Sequence, residues 1–267
     1  MPAKCCNDAL SASSIRHILR VLRAALQDAV DEEMLSRNVA RLVQLRVTDD
    51  RKVRSFTRAE AMRFLKTAET TRLYALWAVA LSMGLRRGEA LGLQWSDVDL
   101  DAERITIRRA LHRVDGQLKL ENVKKTEGSV AVLPVPRTLV PILTNHRRRQ
   151  LEERLAAGST WRDTGLVFFT TPPKGGALEP RNVNRMFHSL CAKAEVPQLR
   201  VHDLRHSCAT LLFTMGVQPA TVQKILRHSS ITVTTGTYVE VIEAVQRDAL
   251  DSMGSLFASN SLGDETG

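Results

Sequence analysis

The sequence has no apolar run long enough to span a bilayer: the longest, Leu73–Leu85, is 13 residues and reads as a buried helix. With one lysine and no apolar stretch before the first amphipathic segment, no cleavable leader is expected. Cysteine is scarce. Cys5, Cys6, Cys191 and Cys208 form no C-x-x-C pair, and adjacent Cys5 and Cys6 make a poor disulfide framework. The expectation is a reduced, cytoplasmic protein with no membrane partner. Repeats and low-complexity tracts are absent, and tyrosine occurs only at positions 74 and 238. Negative charge is also in deficit: 29 acidic residues face 38 Lys and Arg, for a net +9.

What is present is ordinary globular composition, 43% hydrophobic and 25% charged over 267 residues. That length holds a large domain, or a domain and part of another. The positive charge is uneven. From Tyr238 onward there are six acids and one arginine, a segment of −5, so residues 1–237 carry +14. A body that basic points to a polyanion, most often nucleic acid, with a merely basic soluble protein as the plain alternative.

Ile15, Ile18, Leu19, Leu22, Leu26 and Val30 recur at helical spacing, and the pattern predicts a helix over 13–30 and a shorter one over 35–45. The polar run at 46–56 reads as a linker. Thr57 and Glu60 have capping-box spacing and open a helix through 68. The apolar helix 72–83 stops near Gly84, and another follows over 87–93. Residues 103–135 change to a period of two around an Asp115-Gly116 turn, which predicts one three-stranded antiparallel sheet. Helical patterns return at 138–156, 180–194, 203–215 and 219–227, with Pro219 placed for a first turn. Residues 230–238 and a tail helix at 240–257 complete a chain that is mainly α with a small antiparallel sheet, an α+β class.

Four segments concentrate groups that could do chemistry. Arg86 and Glu89 lie one helical turn apart, so the carboxylate can brace the guanidinium, although a surface ion pair has the same spacing. Lys124 and Lys125 precede the last strand, where a lysine can donate a proton or simply guard an edge. His202 and Arg205 share a helical face suited to one phosphate. His202 and His206 also have the spacing of zinc ligands, but no Glu follows His202 and no third ligand stands out; His206 reads as a structural histidine. His228 and Tyr238 close the series. A free tyrosine with a pKa of roughly 10 is a weak nucleophile unless cations stabilise its phenolate, and Tyr74 reads as core. Each feature alone has an ordinary structural explanation. In order, they make a set for phosphoryl transfer without a metal: arginines for growing charge, histidines for hydrogen bonds, a lysine for the leaving oxygen and a tyrosine to attack.

The segments GLRRGEALGLQWSDVDL (84–100), VKKTEGSVAVLPVP (123–136), VHDLRHSCATLLFTMGV (201–217) and ILRHSSITVTTGTY (225–238) resemble the tyrosine recombinases, specifically phage-type integrases, and the likeness runs from about 13 to 257. The resemblance implies the integrase catalytic-domain fold over 53–267, with a C-terminal tail helix. It implies a partial helical core-binding domain and linker over 1–52. Arg86, Lys125, His202, Arg205, His228 and Tyr238 match the six active-site positions, and Glu89 the supporting acid. The family places its lysine directly before Thr, which selects Lys125 over Lys124. The implied activity is cutting and rejoining of double-stranded DNA through a 3′-phosphotyrosine and a Holliday junction, with neither ATP nor metal. The implied assembly is a homotetramer on two DNA sites that is monomeric or weakly associated when free, with accessory bending or directionality proteins as further partners.

The match has departures. Arg227 stands where the family has Gly, with an added phosphate contact or a crowded turn as the expected effect; Glu240 stands where a histidine often follows the tyrosine, and Gly236 is expected to loosen the helix near Tyr238. Only the last two helices of a core-binding domain are recognisable, and residues 1–10 resemble nothing identifiable. The other readings are a truncated, non-catalytic DNA-binding remnant of a prophage integrase, a transposon or chromosome-resolving recombinase, and a metallohydrolase using His202 and His206, which chelators would inhibit.

Overall fold

Phe56, Phe64, Trp77 and Phe187 are fully buried against one another, and around them the larger part of the chain folds. The structure is a computed structural model and describes residues 10–45, 54–123, 130–171, 175–227, Tyr238, Val241, Ile242, Val245 and Arg247. The chain divides into two compact units, Met1–Lys52 and Val53–Gly267.

The first unit contains helix α1 (Ala12–Asp31), opened by Ser11, whose hydroxyl accepts from the Ser14 N–H at 3.1 Å. The second helix expected over 35–45 is instead a single 3₁₀ turn, Val39–Leu42. Tertiary bonds displace the local pattern here. The Arg23 guanidinium donates to the carbonyls of Ala40 (2.9 Å) and Val43 (2.6 Å), and Asn38 donates to the Arg23 carbonyl at 2.8 Å. The segment is tied sideways to α1 rather than closed into successive i→i−4 bonds.

The second unit opens on Phe56, which the polar run before it had placed in a linker. Its ring is buried and its N–H donates to Ser207 Oγ at 2.9 Å. Helix α2 (Arg58–Ala68) carries the expected capping box, Thr57 and Glu60 each accepting from the other's backbone N–H. Helix α3 (Tyr74–Met83) is apolar all round and buried nearly all round, with Tyr74 half-buried. Each fully buried aromatic side chain contributes about 1.5–3 kcal/mol by area transfer. Gly84 ends α3 in the left-handed conformation (φ 58°), and α4 (Arg87–Leu91) follows at once.

The β region differs from the expected single sheet. Strands β1 (Val98–Asp99), β2 (Arg104–Ile107) and β5 (Ala131–Pro134) form one antiparallel sheet in the order β1-β2-β5. Strands β3 (Arg109–Val114) and β4 (Gln117–Asn122) pair only with each other. They turn at Asp115-Gly116, both residues at positive φ as a two-residue hairpin requires. The ladder breaks at Arg108, so β2 recruits the distant β5, with Ile105 opposite Leu133 in the core. The free hairpin lies on α4. A Cβ at Gly88 or Gly92 would stand 2.9 Å from backbone atoms of Leu111, so both positions need glycine for this close approach.

Helices α5 (Val140–Ala157), α6 (Pro180–Lys193), α7 (Asp203–Thr214) and α8 (Pro219–Leu226) complete the described elements. Helix α7 packs on α3, and its outer end forms a second small core from Cys208, Phe213, Val222, Leu226 and Tyr238. The expected segment 230–238, apart from Tyr238, and nearly all of the expected tail helix lie outside the described residues. Among the described residues no helix is long and apolar enough to cross a membrane.

Candidate active site

The site is built where the ends of α3, α7 and α8 meet. Arg86 caps α4, and Glu89 in its first turn is only 4% exposed. Glu89 Oε2 accepts from the Arg86 N–H at 2.8 Å, and Oε1 accepts from the Arg86 guanidinium at 2.9 Å. Burial alone would raise the Glu89 pKa. The charge of Arg227 and the hydrogen bonds from Arg86 outweigh it and hold the carboxyl below its ordinary range. The carboxylate therefore stays ionised as a fixed brace for Arg86.

Arg205, on α7, is 3% exposed and spans two helix ends. It donates to the Gly84 carbonyl at 2.6 Å and to the Leu226 carbonyl. Burial, then the neighbouring charges of Arg86 and Arg227, bring its pKa down to about 10, which leaves it cationic at neutral pH. Its carbonyl partners are contributed by the residue two before Arg86 and the residue just before Arg227, so one guanidinium fixes the backbone around both neighbours.

His202 caps the N-terminus of α7 and is exposed at the groove described below, while His206 one turn on is half-buried; their rings lie edge to face at 5.3 Å. Desolvation, followed by Arg205 at His202 and by His202 at His206, holds both pKa values below the ordinary histidine value. Both rings are therefore neutral at pH 7. Tyr238 is 5% exposed, packs on Phe213, and has its hydroxyl 2.7 Å from His206 Nδ1. Burial raises the pKa of its phenol, and the charge of Arg205 works in the opposite direction.

Beside Arg86 and His202 runs a groove of about 660 Å³, lined also by Arg87, Arg113, Arg181 and Arg200. Its one acid, Glu179, is already paired with Arg113. A cationic groove that includes the braced Arg86 guanidinium suits a polyanionic backbone with one phosphate beside Arg86.

Of the residues singled out from the sequence, Arg86, Glu89 and Arg205 converge, His202 stands beside them, and Tyr238 reaches α7 through His206. Lys125 and His228 lie outside the described residues. One contact was not foreseen. His206, read as structural, faces the tyrosine hydroxyl; its place one turn after His202 was the available signal. Arg227, expected to add a phosphate contact or crowd the turn, pairs instead with Glu89 at 2.5 Å. Among the described residues no group of three His, Cys, Asp or Glu gathers as a metal site.

The model of the phage integrase family matches residues 54–244. A XerC-like tyrosine recombinase of Caldanaerobacter subterraneus subsp. tengcongensis is 31% identical over 92% of this chain and 67% of its own length. An integrase of Streptomyces ambofaciens is 30% identical over 93% of this chain and 65% of its own. The chain thus spans about two thirds of the length of these relatives. Among solved structures, the Tn1549 transposon integrase in complex with transposon right end DNA has a TM-score of 0.75 at 22% identity, covering 92% of this chain and 81% of that one. The XerA recombinase has a TM-score of 0.59 at 21% identity, covering 91% and 76%. At these identities the two structures establish the likeness of fold.

Proposed function

The chain belongs to the phage integrase family of tyrosine recombinases, and we propose that within it this chain cuts and rejoins duplex DNA through Tyr238. The observation that supports this most directly is the sharing of α7. One helix carries Arg205, clasped beside Arg86 and Glu89, and His206, which meets the Tyr238 hydroxyl at 2.7 Å.

In the proposed step, Tyr238 Oη forms a bond to the scissile phosphorus as the bond from phosphorus to the 5′ oxygen breaks. The products are a 3′-phosphotyrosine and a free 5′-hydroxyl. The phenolic proton passes to His206 Nδ1, the adjacent neutral acceptor, and Lys125 supplies the proton for the 5′ oxygen. Arg86 and Arg205, with His202 and His228, hold the non-bridging oxygens as their charge grows. The phosphotyrosine retains the energy of the broken ester, so attack by a 5′-hydroxyl of the partner duplex reseals the strand without ATP or a metal. Four protomers on two sites would exchange strands in pairs through a Holliday junction. The first unit contributes part of a helical DNA-binding domain, accessory bending proteins assist, and the reaction takes place in the cytoplasm.

The alternative of a non-catalytic remnant has less in its favour, because the sequence retains all six chemical groups. Nicked suicide duplexes drawn from the DNA flanking the gene test the choice. A covalent adduct in EDTA that Tyr238→Phe abolishes is the expected result. Duplex binding without an adduct overturns the enzymatic reading.

A further inference from the structure

Arg227 ends α8 in the left-handed conformation, at φ 55° and ψ 48°. Glycine takes that position freely and a larger residue does so at a steric cost. The side chain is nonetheless turned inward rather than into solvent: it is 3% exposed and donates to Glu89 Oε2 at 2.5 Å. The same oxygen accepts from the Arg86 N–H, which leaves Oε1 for the Arg86 guanidinium. Glu89 is thus shared by two arginines 141 positions apart in the chain (86 and 227), and the third, Arg205, is bound to the carbonyl immediately before Arg227.

The charge balance of this cluster is unusual. Among the described residues, Arg86, Arg205 and Arg227 face one carboxylate, Glu89. Asp203, the nearby acid on α7, is engaged by Arg200. Counted over the described residues, the cluster therefore holds two positive charges in excess. Burial is the main cause that lowers the proton affinity of both Arg205 and Arg227; like charge adds to it, from Arg86 and Arg227 at Arg205 and from Arg86 at Arg227. A phosphodiester brings one negative charge, and the pentacoordinate phosphorane formed by tyrosine attack brings two. The surplus equals the charge of the phosphorane.

We propose that Arg227 is a positioning residue for the scissile phosphate: it fixes Glu89 so that Arg86 is aimed into the groove, and it supplies the charge that makes the site complementary to a doubly negative phosphorane. This rests on the recombinase reading above. Arg86, with its side chain 48% exposed, touches the DNA; Arg227 acts from behind it, through Glu89 and through its field.

The test is the single-turnover rate of the Tyr238 adduct on two nicked suicide duplexes, one with a normal scissile phosphate and one with a methylphosphonate there, which lacks one negative charge. On the phosphodiester, Arg227→Gly, which relaxes the turn, slows adduct formation about tenfold or more while duplex affinity changes little. On the methylphosphonate, the gap between wild type and Arg227→Gly narrows. Arg227→Lys restores most of the rate, and Arg227→Asn, neutral but tolerant of the left-handed turn, repeats the defect. Thermal melting confirms that each variant is folded. A variant as fast as wild type, or a defect of equal size on both duplexes, overturns the proposal while leaving the recombinase reading intact. Absence of a wild-type adduct on the normal phosphodiester duplex overturns that reading and this inference together.

Discussion

The hydroxyl of Tyr238 lies 2.7 Å from His206 Nδ1, a contact between residues 32 positions apart that joins the only tyrosine outside α3 to the helix carrying Arg205. Burial and the adjacent His202 keep His206 neutral at pH 7, so Nδ1 can accept the phenolic proton. As pH falls below the ordinary histidine range, His206 becomes protonated and that acceptor is lost. Adduct formation by wild type should therefore decline on the acid side. His206→Phe should be slower by about 10²-fold at neutral pH and should lack this acid limb. A pH–rate profile of single-turnover cleavage for both proteins checks this, and superimposable profiles would remove His206 from the reaction.

Arg205 satisfies two backbone carbonyls while presenting its charge. Arg205→Lys keeps the charge but not the planar fork. An ammonium in its place reaches one of the carbonyls, of Gly84 or of Leu226, and leaves the other unpaired. The expected loss is about 1–3 kcal/mol of unfolding free energy together with about 10²–10³-fold in cleavage rate. Urea titration and suicide-duplex kinetics measure the two separately.

Gly84 and Gly116 both have positive φ, at 58° and 75°, but their surroundings differ. A Cβ at Gly84 would fall 2.4 Å from Leu226 Cδ2, whereas one at Gly116 meets nothing within 4 Å. Gly116→Ala should cost about 1 kcal/mol, the backbone term alone. Gly84→Ala should cost about 2–4 kcal/mol, because overpacking adds to that term, and it should also slow cleavage by displacing a carbonyl that holds Arg205. Equal midpoints in urea for the two variants would contradict the packing described here.

His146 is 3% exposed and hydrogen-bonded at 2.8 Å to the Val167 carbonyl, with its ring against Phe168. Burial is the main reason its pKa lies below that of an unfolded histidine. The unfolded chain thus takes up the proton first. The stability this group contributes is complete above about pH 6.5 and is lost as pH falls from there through the lower folded value. The melting temperature should drop between pH 7 and 5, and His146→Gln, which cannot titrate, should show a shallower drop.

Much of this was legible in short stretches of sequence. The period of α1, the Thr57–Glu60 box, the stop at Gly84, the Asp115-Gly116 turn and Pro219 at the start of α8 are local signals, and the elements follow them. The order of arginine, histidine and tyrosine motifs pointed to the family that the comparisons establish. What was not legible depends on distant partners. Phe56 looks like linker until Ser207, 151 residues away, accepts its N–H. The segment 35–45 looks helical until Arg23 takes its carbonyls. One sheet becomes two because β2 finds β5, and Arg227 looks like an odd cap until Glu89, 138 residues earlier, is beside it.

The clasp on Arg205 also has a consequence for how the protein is made. Its two carbonyl partners are 121 and 21 positions away, at opposite sides of it in the chain. On a ribosome, the Gly84 carbonyl emerges long before Arg205, and the Leu226 carbonyl only afterwards, with Tyr238 later still. A nascent or prematurely terminated chain that ends before Leu226 has neither a closed clasp nor Tyr238. The clasp that fixes the backbone around Arg86 and Arg227 is therefore completed late in synthesis, only once α8 has been made.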